Sequence, residues 1–132
     1  MLSLFPQILF LAPLGLTLIR VSAGITFLWL AYWHGSREHE LRSVRFPVVG
    51  RGAWIVWVSV AWEVAVGAAL IVGFYAQLAA LLGALSAVKF LLWRTRYPQF
   101  IPLARQTSVL LLAICLSLLV SGAGAYAFDL PL

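Results

Sequence analysis

Four long apolar segments, separated by short polar stretches, dominate the hydrophobic pattern of this chain. They span residues 7–33, 53–74, 75–93 and 103–122. Each is close to the ~20 mostly apolar residues that a helix needs to cross a bilayer. We therefore predict an all-α integral membrane protein, with one transmembrane domain over residues 1–132 that folds as an antiparallel bundle of four transmembrane helices.

The stretches between the segments predict how the helices are connected. The second and third segments meet at GFYAQ, which is short and uncharged and is typical of a tight antiparallel hairpin. Longer basic loops are expected over residues 34–52 and 94–102. Pro13 lies inside the first segment, so the first helix is either kinked there or begins there after an interfacial stretch.

The composition of the chain also indicates a membrane protein. The chain is 64% hydrophobic and only 10% charged, and its mean hydropathy is +1.03. Soluble domains are about half apolar and about a quarter charged. No Lys or Arg precedes Arg20, whereas a secretory signal peptide begins with a basic region, so we expect the N-terminal segment to be retained.

The distribution of basic residues predicts orientation and argues against nucleic-acid binding, in spite of a pI near 10.2. Seven of the nine Lys and Arg residues lie in or beside the two predicted loops: Arg37, Arg42, Arg45, Arg51, Arg94, Arg96 and Arg105. Four spans place both loops on one side, and the positive-inside rule makes that side cytoplasmic. The expected location is the cell membrane, with both termini outside and the basic loops also meeting anionic lipid headgroups.

Metal and thiol chemistry are not expected. Cys115 is the single cysteine and lies in the apolar stretch LLAICLSLL, which predicts an inert buried thiol. His34 and His39 lie near Glu38 and Glu40, but their spacing matches no metal-binding pattern.

Glu63 and Arg20 lie inside apolar segments, where a charge costs roughly 2.5–3.5 kcal/mol and usually has a partner. If the first helix begins near Ile8, the two side chains lie at similar depth, which favours an Arg20–Glu63 ion pair. If the helix begins at Pro13, Arg20 is much shallower, and only side-chain length could join them.

Two roles for these charges remain open at this point. The pair either fixes helix register, or it forms a polar site for a proton, a quinone head group or a small anion. His34, beside Trp33 at the predicted interface, either lies among lipid headgroups or donates a hydrogen bond to a quinone carbonyl. Lys89 either extends toward the headgroups or faces an anionic ligand.

Three motifs in this order resemble those of the DoxX family of small membrane proteins. The first span, LIRVSAGITFLWLAYWHG, contributes Arg20, Gly24, Phe27, Leu28, His34 and Gly35. The next two spans contribute Glu63, Gly67 and Gly73, and the closing GAGAYAFD contributes Gly122, Gly124, Tyr126 and Asp129.

The resemblance implies a four-helix bacterial or archaeal membrane protein of the kind linked with redox complexes, including thiosulfate:quinone oxidoreductases. On this reading the chain is a membrane subunit of an oxidoreductase complex. Arg20, Glu63 and His34 would contact a quinone, and the tryptophans would form its apolar walls. It has no cofactor ligands of its own, so electrons must come from a partner subunit. The alternative is a non-catalytic structural subunit that packs against other membrane proteins and lipid. The sequence leaves homo-oligomerisation open.

Overall fold

A computed structural model describes residues 6–41, 53–98 and 101–122, and every regular element within these ranges is a helix. In chain order they are a 3₁₀ helix at Pro6–Leu11, then α1 (Ala12–Ser36), α2 (Glu38–Leu41), α3 (Ala53–Val72), α4 (Ala76–Arg96) and α5 (Arg105–Ser121).

Three of these helices, α1, α3 and α4, are long and apolar enough to cross a membrane. The fourth predicted span forms α5, which has 17 residues and so is about 26 Å long, a little short of the ~30 Å hydrocarbon core. The chain is therefore an all-helical protein with the character of a membrane protein.

The start of α1 decides one of the alternatives left open by the sequence. Helix α1 begins at Ala12, and Pro13 lies in its first turn, where the missing N–H of proline costs nothing. The preceding residues form the separate 3₁₀ helix Pro6–Leu11. Pro13 therefore marks the helix start rather than a kink.

A three-residue turn joins α3 to α4, as the GFYAQ stretch predicted. The Gly73 N–H donates to Ala69 O at 2.9 Å, and Gly73 adopts a φ of 77°, which glycine accepts without strain. Tyr75 is also left-handed, with a φ of 47°, and α4 begins at the next residue. The turn is tight enough to make α3 and α4 antiparallel neighbours.

Helices α1 and α3 pack closely because glycines face each other across their interface. A Cβ atom on Gly24 would lie 2.8 Å from the Gly67 carbonyl oxygen, and one on Gly67 would lie 2.9 Å from the Gly24 carbonyl oxygen. Further along, Gly35 faces Val60. Residue numbers rise on α1 as they fall on α3, so the two helices are antiparallel.

Helix α4 packs on α5 through small side chains. One face of α4 carries only small residues and is entirely buried: Ala76, Ala80, Gly83, Ala84 and Ala87. Gly83 lies against Cys115 of α5, which is fully buried as predicted. Small residues allow this close approach in a membrane, where lipid is as apolar as the side chains.

Contacts between α3 and α4 are sparser than those within the α1/α3 and α4/α5 pairs. The turn joins the two helices at one end, and a hydrogen bond from Trp62 Nε1 to Ser86 Oγ, 2.7 Å long, joins them in the middle. Beyond this bond the helices leave space between them.

Candidate functional site

A buried polar pair lies between α1 and α3. Nδ1 of His34 is 2.8 Å from Oε2 of Glu63, and both side chains have no solvent exposure. With Glu63 ionised, Nδ1 carries the proton and donates it in the hydrogen bond. Desolvation of both groups offsets much of the attraction in a buried pair of this kind, whereas removing one partner leaves the other buried and is strongly destabilising.

The pair owes its position to the spacing along α3. Ser59, Glu63 and Gly67 recur every four residues and are all buried, which is typical of one helix face. Glu63 and Gly67 contact α1 from this face, whereas Ser59 borders the space between α3 and α4. The other carboxylate oxygen of Glu63, Oε1, has no hydrogen-bond partner within the described part of the chain. A buried acceptor left in this way costs about 1–3 kcal/mol.

Arg20 lies elsewhere on the same interface, which differs from the expected Arg20–Glu63 pair. Gly24 faces Gly67, and Arg20 and Glu63 each lie one turn before these glycines on antiparallel helices, so their levels are about 12 Å apart along the axis. Side chains on a helix lean toward its N-terminus, which directs Arg20 and Glu63 away from each other. Arg20 is nevertheless buried, with 1% exposure. Because α1 begins at Ala12, the shallow position is the one adopted.

The structure therefore brings together two of the three predicted site residues, Glu63 and His34. His34 was expected at the headgroup level, but it is fully buried and packs edge-on against Trp33, with ring centroids 5.3 Å apart. Neither side chain is accessible to a ligand of quinone size. The predicted site is thus a sealed polar pair.

An open cleft of about 860 Å³ lies between α3 and α4, at the end where α4 carries its arginines. Aromatic rings form much of its wall: Trp54, Trp62, Trp93 and Tyr97. Polar side chains also line it: Ser59, Ser86, Lys89, Thr95 and Arg96. Small-molecule sites are typically about 300–1,000 Å³, mainly apolar, with a few polar groups that fix the ligand's orientation. The cleft has this size and character.

Lys89 is the cationic group placed deepest in the cleft. It lies seven residues before the end of α4, about 10 Å below the helix terminus. Its ammonium nitrogen is 5.1 Å from the ring centre of Phe90 and 5.3 Å from that of Trp93, within the range of cation–π attraction. The Glu63 carboxylate also attracts it electrostatically. Lys89 is half-buried and lines the cleft, so it can donate hydrogen bonds to a ligand there.

A second, smaller groove of about 260 Å³ continues along α3 and α4 toward the turn. It is lined almost entirely by apolar side chains, and Trp62 lines both this groove and the cleft. The Trp62–Ser86 hydrogen bond therefore marks the border between a wide polar-aromatic space and a narrow apolar one.

From the sequence, tryptophans were expected around a quinone held by Arg20, Glu63 and His34, and no role was expected for Ser86. A pattern that could have revealed the cleft is the spacing of Ser86, Lys89 and Trp93 at three and four residues on α4. That spacing predicts a stripe of polar and aromatic side chains on one face of α4, but it does not show that a cleft separates this face from α3.

The remaining expectations from the sequence concern metal binding, the loops and the end of the chain. No group of three or more potential metal ligands occurs among the described residues. The basic residues Arg42, Arg45 and Arg51 and the closing motif residues Gly124, Tyr126 and Asp129 lie outside the described residues.

No known protein family, curated protein or solved structure matches this chain.

Proposed function

We propose that this chain is a DoxX-like membrane subunit of an oxidoreductase complex and that it binds a quinone head group in the cleft between α3 and α4. The observation that carries the proposal is the cleft itself. Its aromatic walls surround Lys89, Ser59 and Ser86. In a bilayer, the four helices α1, α3, α4 and α5 form an antiparallel bundle, with the cleft near the cytoplasmic surface and both termini outside.

The chemistry of the lining suits a quinone. Tryptophan rings stack on a flat quinone ring, and the Lys89 ammonium and the Ser59 hydroxyl can donate hydrogen bonds to its carbonyl oxygens. The Ser86 hydroxyl already donates to Leu82 O and accepts from Trp62 Nε1, so it holds the wall of the cleft in place. A cation near the head group also stabilises negative charge that develops there on reduction. The chain contributes this environment, and a partner subunit supplies the electrons.

The proposed quinone site does not include Arg20, Glu63 and His34, the residues that the sequence suggested as its contacts. His34 and Glu63 support the site from behind, because Glu63 attracts Lys89 and lies on α3 one turn from Ser59. Their role is to position α3 and its neighbouring cation. Arg20 belongs to the opposite end of the helix pair.

Quinone binding can be tested on the purified protein in detergent. Saturable quenching of tryptophan fluorescence by decylubiquinone reports binding, since Trp54, Trp62 and Trp93 line the cleft. We expect Lys89→Gln to weaken binding about tenfold, as for loss of one charged hydrogen-bond donor. Arg105→Gln is the matched control, because it removes one positive charge from an exposed position at the start of α5. Equal affinity for all three proteins would exclude a role for Lys89 in quinone binding.

The complex can be tested by mild-detergent affinity purification from native membranes, with mass spectrometry of co-purifying proteins and extraction of quinone. A stoichiometric redox protein supports the subunit role.

The second candidate function, a purely structural subunit, is favoured by the sealed His34–Glu63 pair, which has no exposure and no room for a ligand. Recovery of the chain alone and without quinone would favour that function.

A further inference from the structure

We infer that the narrow groove between α3 and α4 holds the apolar tail of the ligand whose head group occupies the cleft. This inference rests on the proposed function and specifies its ligand class: an amphiphile with a long hydrocarbon or isoprenoid tail, bound lengthwise along the α3/α4 hairpin.

The cleft and the groove are continuous. Trp62 lines both spaces, so the groove begins where the cleft ends. From the level of Leu82 the groove runs to the turn at Tyr75, seven residues or about 10 Å along α4. A ligand anchored by its head group at Lys89 would therefore meet the groove directly with its next atoms.

The side chains that line the cleft and the groove differ in polarity. Lys89, Arg96 and two serines line the cleft, whereas the groove between Ala65 and Leu78 is lined by aliphatic and aromatic side chains. Such a polarity gradient matches an amphiphile and would not suit a free polar solute. A tail packed in the groove gains van der Waals contacts on several sides, which a tail dissolved in lipid lacks.

Trp62 lies at the border between the cleft and the groove. Its Nε1–H is held by Ser86, which fixes the indole plane at the border between the two spaces, and the residue remains 40% exposed. The fixed ring can contact the head group on one side and the first tail atoms on the other. Trp62 would thus lie beside the part of the ligand where the polar head group is joined to the apolar tail.

The test compares two quinones with the same head group, decylubiquinone and the tail-free dimethoxy-methyl-benzoquinone. Ala65 is exposed and lines the groove, so Ala65→Phe should fill the groove without disturbing the core. Ala68 is also exposed on α3 but does not line the groove, and Ala68→Phe is the matched control. Comparing each variant with the wild type for one ligand cancels the different partitioning of the two ligands into detergent.

We expect Ala65→Phe to weaken decylubiquinone binding about tenfold and to leave binding of the tail-free quinone unchanged. Ala68→Phe should change neither. Unchanged decylubiquinone binding by Ala65→Phe would overturn the tail site, as would an equal loss for both ligands. If the wild-type protein binds neither quinone saturably, the proposed function itself fails, and the tail site with it.

Discussion

Helix α3 makes two interfaces of opposite character. Toward α1 it is closely packed, with glycine against glycine and a sealed His34–Glu63 pair. Toward α4 it stands away and leaves an open cleft lined by tryptophans and Lys89. Charged groups are present at both interfaces, but the His34–Glu63 pair has no exposure, whereas Lys89 lines an open cleft. A buried charge in a membrane helix therefore does not by itself mark a binding site.

The largest expected effect comes from breaking the sealed pair. Glu63→Ala removes one partner and leaves a buried imidazole and a cavity, so we expect a loss of about 3–5 kcal/mol in the free energy of unfolding. Unfolding in mixed micelles of increasing SDS content measures this loss. The double variant His34→Leu with Glu63→Met should regain much of the stability, because a well-packed apolar pair has no charge to bury. A stable single variant would contradict a structural role for the pair.

A smaller loss is expected from separating α1 and α3. In Gly67→Ala, the added methyl group would approach the Gly24 carbonyl oxygen to 2.9 Å, so the backbones must move apart. We expect a cost of about 1–3 kcal/mol, measured by the same unfolding assay.

Gly15→Ala is the control for that substitution, since no atom lies within 4 Å of the Cβ position at Gly15. Its stability should equal or slightly exceed that of the wild type because alanine favours helix. Equal stability of the two alanine variants would show that the α1/α3 interface is looser than described.

The smallest expected effect is on the open side of α3. Ser86→Ala removes the hydrogen bond to Trp62, and we expect a loss of about 0.5–1 kcal/mol, since the indole is partly exposed. Tryptophan emission should shift as the ring loses its fixed position. A loss as large as that of Glu63→Ala would mean that α3 and α4 depend on this bond far more than their sparse contacts suggest.

Much of the fold follows from the sequence because hydrophobic runs, prolines and glycines act locally. The apolar runs predicted the helices within a few residues, and GFYAQ predicted the turn between α3 and α4. The four-residue spacing of Ser59, Glu63 and Gly67 is likewise typical of one helix face, and all three residues are buried.

The partner of Glu63 could not be predicted in the same way. It depends on the register that the facing glycines impose, which is a property of two packed helices. Arg20 and His34 are 14 residues apart, about 21 Å along α1, so this register decides which of them lies near Glu63. The same limit applies to the cleft, since the sequence places Trp93 and Lys89 on α4 but does not give the distance from α4 to α3.

Quinone binding in the cleft is tested most directly by photo-crosslinking with an azido-ubiquinone in native membranes, followed by mapping of the labelled peptides. We expect labels on the α3 and α4 residues that line the cleft, within 54–62 and 85–97, and loss of these labels when decylubiquinone competes. Labels confined to α1 or α5, or labels that decylubiquinone does not displace, would contradict quinone binding in the cleft.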